Sequence, residues 1–135
     1  MIYLSAAFSR RGEMRIISER LAWAGFPVNS RWVHEEGDST PAGLKEAAYR
    51  DMEDLRDADT FVRYSDPQYG SKDKVDSSLL SGARMVEMGA ALALGKTCYT
   101  VGGHQPVFDY LPSVIHVEST DELVRLLKLF KTAAA

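Results

Sequence analysis

Ser81-Gly82-Ala83-Arg84-Met85-Val86-Glu87-Met88-Gly89-Ala90-Ala91-Leu92-Ala93-Leu94-Gly95-Lys96 is the stretch around which the chain is organised, and Thr97 to Val101 follows it as a strand. From Gly82 to Gly95 every residue is apolar or glycine except Arg84 and Glu87. That is the composition of a helix buried on most of its surface. A carboxylate there is expensive, because burying one alone costs on the order of several kcal/mol or more. Glu87 has two readings. It forms an i,i+3 ion pair with Arg84, worth about 0.2–0.5 kcal/mol on an exposed helix, or it lines an active site as nucleophile or base, near a helix end that also suits an anion.

Outward from this stretch, strands and helices alternate. Met1 to Ala7 is a short uncharged apolar run, as expected of a parallel strand buried on both faces. The turn Ser9-Arg10-Arg11-Gly12 leads into a helix whose stripe is Met14, Ile17, Leu21 and Ala24, with Gly25 at the position of a left-handed C-terminal cap. Phe26 to Val33 reads as a second strand. His34 to Pro41 is a loop that ends in Thr40 as N-cap and Pro41 as first helical residue. The helix after it carries the stripe Leu44, Ala48, Leu55 and Ala58, and the position completing its spacing is Asp51. Arg50, Glu53, Asp54, Arg56 and Asp57 fall off that stripe and read as a solvated face.

Asp59 to Tyr64 reads as a third strand and Ser65 to Leu80 as a surface loop or lid. Thr97 to Val101 is the fourth strand, followed by a turn through Gly102-Gly103 and Pro106-Val107-Phe108, and Ser113 to Val117 is the fifth. Ser119 and Glu122 stand in capping-box spacing before a last helix, Asp121 to Lys131. Its leucines at 123, 126, 127 and 129 run nearly all round, which leaves one side to meet another subunit. The pattern predicts one α/β domain over residues 1–132 with a short tail at 133–135. Its sheet is five-stranded and mainly parallel, with helices on both faces and right-handed crossovers, in the flavodoxin-like or Rossmann-like manner. Ligands of such sheets bind beyond the carboxyl ends of the strands.

Composition narrows the function. A chain of 135 residues with 16 basic and 19 acidic side chains, net charge −3, has no basic face for a nucleic-acid polymer. No apolar run approaches the roughly 18 residues of a membrane span and no signal core opens the chain, so the expected compartment is the cytoplasm. The single Cys98 reads as a small core residue. His34, His104 and His116 share no metal spacing, so no metal is expected. GxGxxG and GxxxxGK[ST] motifs are both absent, so no cofactor is expected.

The Ser9-Arg10-Arg11-Gly12 turn puts backbone N–H groups, a helix start and guanidinium groups together, which suits an anion or, equally, a solvated surface. Ser81, with Gly82 beside it, reads as an N-cap or as a phosphate ligand. Two carboxylates in different environments at one cleft, Asp51 and Glu87, are the equipment for cleaving a glycosidic bond. Tyr3, Phe8, Trp32 and Phe108 are each core residues or platforms for a flat leaving group.

These blocks resemble a known family. Ile2-Tyr3-Leu4-Ser5, Phe8-Ser9-Arg10-Arg11, Asp51-Met52-Glu53-Asp54-Leu55-Arg56-Asp57-Ala58-Asp59 and Glu87-Met88-Gly89-Ala90-Ala91-Leu92-Ala93-Leu94-Gly95-Lys96 resemble, in the same order, the nucleoside 2-deoxyribosyltransferase family, which includes the 2'-deoxynucleoside 5'-monophosphate N-glycosidases. The resemblance implies a catalytic nucleophile at Glu87, with Asp51 and Tyr3 beside it as catalytic partners. It implies a phosphate held by Ser9, Arg10, Ser81 and Gly82, a base near Phe8 and Trp32, and His104 and Gln105 reaching the neighbouring subunit's site in a homo-oligomer, a dimer or a dimer of dimers. The small-residue turn of the family is here Ala6-Ala7-Phe8-Ser9, and Arg84 stands where a small residue is usual. The expected activity is hydrolysis of the N-glycosidic bond of a nucleoside 5'-monophosphate. The alternatives are base exchange between deoxynucleosides and, in another class, a non-catalytic nucleotide-binding module.

Overall fold

Four parallel strands lie side by side in chain order: β1 (Ile2–Ser5), β2 (Thr60–Tyr64), β3 (Thr97–Val101) and β4 (Val114–Val117). Four helices flank them: α1 (Arg11–Trp23), α2 (Pro41–Asp57), α3 (Gly82–Ala93) and α4 (Thr120–Ala134). The computed structural model describes residues 1–65, 82–103 and 107–134, the side chain of residue 134 excepted. Strand alternation sorts the layers. Tyr3, Ser5, Phe61 and Arg63 share one face in register, where Ser5 and Tyr3 meet Glu87 of α3. Tyr64 points the other way, and its hydroxyl bonds Thr120 at the start of α4 at 2.8 Å. Helix α1 is tied to α4 by the Arg20–Asp121 ion pair and by Lys131 over the Phe26 ring. The sheet is therefore sandwiched, with α1 and α4 on one face and α3 on the other beside α2. Its core holds Leu4, Met14, Leu21, Leu55, Phe61, Val62, Met88 and Leu123, each fully buried.

Local chemistry explains the helix ends. Gly25 (φ +95°) lets α1 close with Phe26 N–H on the Leu21 carbonyl at 2.9 Å and Gly25 N–H on that of Ala22 at 3.0 Å, the paired bonds of a Schellman cap. The Thr40 side chain accepts the Gly43 N–H at 3.1 Å with Pro41 next to it, as expected. Ser119 accepts the Glu122 N–H, while the Glu122 carboxylate reaches back to the Glu118 N–H.

The fifth strand is the main correction. Phe26 to Val33 runs beside β1 without becoming a strand; its ladder is one bridge between Ile2 and Val28, closed by Ile2 N–H to Pro27 and Asn29 N–H to Ile2. Beyond it, side chains do the work of a backbone. The Ser30 hydroxyl accepts the Leu4 N–H, the Trp32 indole N–H donates to the Leu4 carbonyl, both at 2.7 Å, and the chain coils into a short 3-10 turn, Arg31–His34. Once those side chains have satisfied β1's outer edge, no further ladder is required. Trp32 is accordingly buried against β1, its N–H spent, and is a core residue more than a platform for a ligand.

Helix α3 is buried on one side only, through Arg84, Met88 and Ala91, while Val86 is 68% exposed and Leu94 54%. Its apolar composition exceeds what a single sheet face can cover. On α2, Leu44 is 57% exposed, so the inward stripe begins only in the second half of the helix. Asp54, expected in solvent, is buried: it accepts the Arg31 N–H at 3.0 Å and Arg31 Nε at 2.9 Å, from a segment that spacing along α2 does not reveal. Cys98 is a buried core residue. Among the described residues no helix is long and apolar enough to cross a membrane.

Candidate active site

The site is built on β1. Residues two apart on a strand share a face, so Tyr3 and Ser5 both point at α3, where Glu87 sits between its buried turns. The Tyr3 hydroxyl donates to Glu87 Oε2 and the Ser5 hydroxyl to Oε1, the latter at 3.0 Å. Each carboxylate oxygen thus has a donor, and the rotamer is held from both sides. Arg84 is buried with its guanidinium donating to the Tyr64 carbonyl at 3.3 Å. It adds favourable charge near Glu87, whose orientation comes from the two hydroxyls. Burial still wins and pushes the Glu87 carboxyl above its ordinary range, the Tyr3 and Ser5 bonds and the Arg84 charge offsetting only part. Burial and the neighbouring Glu87 and Asp51 carboxylates raise the Tyr3 phenol far above its usual value, so it stays protonated and remains a donor.

Asp51 joins them from α2. Burial, then the charge of Glu87, then those of Glu35 and Asp54, lift its carboxyl to about 7, against a smaller opposing pull from Arg50. Its Oδ1 is buried without a hydrogen-bond partner among the described residues. Burial first and the Glu87 charge second favour a proton on Asp51, and with Glu87 ionised the two carboxylates divide into a base or nucleophile and an acid.

The remaining expected residues are placed as follows. Phe8 is exposed, its ring 6.3 Å from that of Trp32, with Arg11 stacked 4.6 Å above it. Ser9 is exposed in the 3-10 turn Phe8–Arg10. Arg10 stands at the carboxyl rim of the sheet, where its Nη1 donates to the carbonyl of Ser65 just after β2 at 2.6 Å, while Nε and Nη2 grip Glu13. That engagement orients the guanidinium and also competes with an incoming anion. Gly82 opens α3, exposed. Ser81, His104 and Gln105, like most of the Ser65 to Leu80 loop, lie outside the described residues. Phe108 is exposed and lines an apolar groove of about 390 Å3 with Met85, Met88, Gly89, Leu92 and Leu111. Among the described residues, no three His, Cys, Asp or Glu side chains gather as a metal would require.

Sequence reasoning missed Ser5, which is fully buried and bonded to the carboxylate. The one available signal was a hydroxyl two positions from Tyr3 in an otherwise apolar strand. No protein-family model matches the chain, and no curated protein matches it either.

Proposed function

We propose that the protein hydrolyses the N-glycosidic bond of a nucleoside or deoxynucleoside 5'-monophosphate, with Glu87 as nucleophile and Asp51 as the acid. The observation that carries this reading is the split pair: a carboxylate oriented by two hydroxyl donors beside a carboxyl that keeps its proton to about pH 7. A Glu87 oxygen attacks C1', the C1'–N bond breaks with its electron pair on the base, and the Asp51 proton goes to that base. The ester that forms is neutral. The Glu87 charge, after burial the next largest cause of the raised Asp51 carboxyl, is then gone, and the Asp51 carboxylate is suited to take a proton from water as it attacks C1' and frees Glu87. The resemblance of the Tyr3, Asp51 and Glu87 blocks to the nucleoside 2-deoxyribosyltransferase family supports the same chemistry. Arg10 at the rim supports a phosphate.

In this reading the active form is a homo-oligomer, and the support is the apolar groove beside α3 together with the exposed Val86, Leu94, Leu129 and Phe130. The decisive experiment is incubation with nucleosides and their 5'-monophosphates, with and without an added free base, and separation of the products. Free base and sugar phosphate from monophosphates alone support hydrolysis. Incorporation of the added base makes the protein an exchanging transferase, and binding without any product, unaltered by Glu87→Gln, makes it a binding module. Mixing Glu87→Gln chains with chains altered at His104 or Gln105 tests the shared site, since recovered activity requires two copies to contribute.

A further inference from the structure

Ser5 is the last residue of β1 and only 1% exposed, and a hydroxyl so deep in an otherwise apolar strand needs an acceptor. Its side chain finds one, Glu87 Oε1 at 3.0 Å, and bonds nothing else among the described residues. The donor to the other oxygen, Tyr3, is held as well: its ring stacks on Phe61, with centroids 6.1 Å apart and planes 10° from parallel. Both hydroxyls come from one face of β1, since the two residues are two apart on the strand.

Asp51 is treated differently. Its Oδ1 is buried without a hydrogen-bond partner among the described residues. A carboxylate that accepts donors is favoured in its ionised form, and one that lacks them is favoured as the acid. The groups around the pair leave Ser5 a distinct part. Tyr3 feels the charges of both Glu87 and Asp51, and Glu35 and Asp54 raise the Asp51 carboxyl further. Arg84 on α3 favours an ionised Glu87 by charge, less than either hydroxyl does. On α2, Arg50 is committed to Glu35 at 2.9 and 3.0 Å, and Arg63, beside Ser5 across the β1–β2 ladder, is committed to Asp109. Ser5, whose one side-chain bond goes to Glu87, is the donor that separates the two carboxylates.

We propose that Ser5 is the positioning residue of this pair: its hydroxyl fixes Glu87 Oε1 as an acceptor and so leaves to Asp51 the proton that the two carboxylates share. With one proton between them the pair has two arrangements, ionised Glu87 with protonated Asp51 or the reverse. Only the first has a nucleophile and an acid both in place. Without the Ser5 donor the second gains at its expense. No change of pH restores the balance, because adding or removing protons empties both singly protonated arrangements together. The catalytic consequence rests on the hydrolytic reading above; the placement of the proton does not.

The test is a pH titration of the Glu87 carboxyl by 13C NMR in the full chain without ligand, with glutamate labelled at Cδ and the Glu87 signal assigned by its loss in Glu87→Gln. Ser5→Ala is smaller than the native residue and does not overpack the strand. In that variant Glu87 should bind its proton about tenfold more tightly, the effect of losing one hydrogen bond to a charged group. Ser5→Thr, which keeps the hydroxyl, should return the titration to that of wild type. Turnover of the monophosphate should follow: kcat of Ser5→Ala falls about fivefold or more across the pH range, KM stays within about twofold, and Ser5→Thr recovers the rate. A Glu87 titration in folded Ser5→Ala within about twofold of wild type overturns the proposal, as does a shift that Ser5→Thr fails to reverse. If the titration moves as expected while no substrate is turned over, the placement of the proton by Ser5 stands and the hydrolytic reading is the one that falls.

Discussion

Two polar groups are buried on the same face of the sheet, one strand pair apart, and they end in opposite states. Arg63 on β2 and Asp109 in the turn before β4 are completely buried and joined twice, Nη1 to Oδ1 at 2.7 Å and Nη2 to Oδ2 at 2.5 Å. Around them, Arg63 also meets Met88 Sδ and the Gly103 carbonyl, both at 3.2 Å. His116 Nε2 donates to the Asp109 carbonyl at 2.7 Å, and its Nδ1 shares a hydrogen bond with the Thr100 hydroxyl at 2.5 Å. Opposite charges there cancel, and the arrangement pins the 108–110 turn to the sheet. At Glu87 and Asp51 two acidic groups raise one another's proton affinity, and the donors on Glu87 are neutral hydroxyls. The first group spends its charges on holding the fold, with Arg63 Nε buried but unbonded among the described residues. The second keeps an acceptor, a proton and an unpartnered oxygen for something that arrives from outside.

The difference breaks first at Glu87. Glu87→Gln is isosteric and removes a buried charge, so melting temperature should hold or rise while turnover of the monophosphate falls by about 10³ or more. Turnover within about tenfold of wild type removes Glu87 as nucleophile. Arg63→Met should do the reverse. Stranding the Asp109 carboxylate costs about 3–5 kcal/mol in urea unfolding, and the paired replacement Arg63→Met with Asp109→Leu should cost less than the single change. If Arg63→Met barely alters stability but abolishes turnover, the structural and functional assignments of the two groups are exchanged.

Asp51 sharpens the contrast through pH. Its folded carboxyl titrates near 7, against about 3.9 for an unfolded aspartate, so between those values the native state binds the extra proton and stability falls as pH rises. Asp51→Asn should therefore melt higher than wild type at pH 8 and lose that advantage by about pH 4, while turnover drops by about 10²-fold with loss of the acid. The wild-type rate should fall above about pH 7 as Asp51 loses its proton; a rate flat to pH 9 rules out Asp51 as the acid. The smallest effect belongs to the rim. Arg10→Ala should weaken a monophosphate by about 1.5 kcal/mol and its nucleoside hardly at all, in calorimetric titration. Equal losses assign Arg10 to holding Glu13 and the Ser65 carbonyl only.

How much of this could be read along the chain follows from how far each contact reaches. Composition and local signals determined the α/β alternation, the Gly25 and Thr40 helix ends, the inward position of Asp51 and the cost attached to Glu87, because each depends on residues within a turn or two. Tertiary structure decided the rest. Tyr3 and Glu87 are 84 residues apart and Ser5 and Glu87 are 82 apart, so no periodicity records that they bond. Asp54 has the spacing of a surface residue and is buried because Arg31, 23 positions away, folds over it. The segment from Phe26 to Val33 has a strand's composition and is a coil because Ser30 and Trp32 satisfy β1's edge with side chains. An apolar pattern states that a residue avoids water; which partner lets it do so is a property of the packed chain.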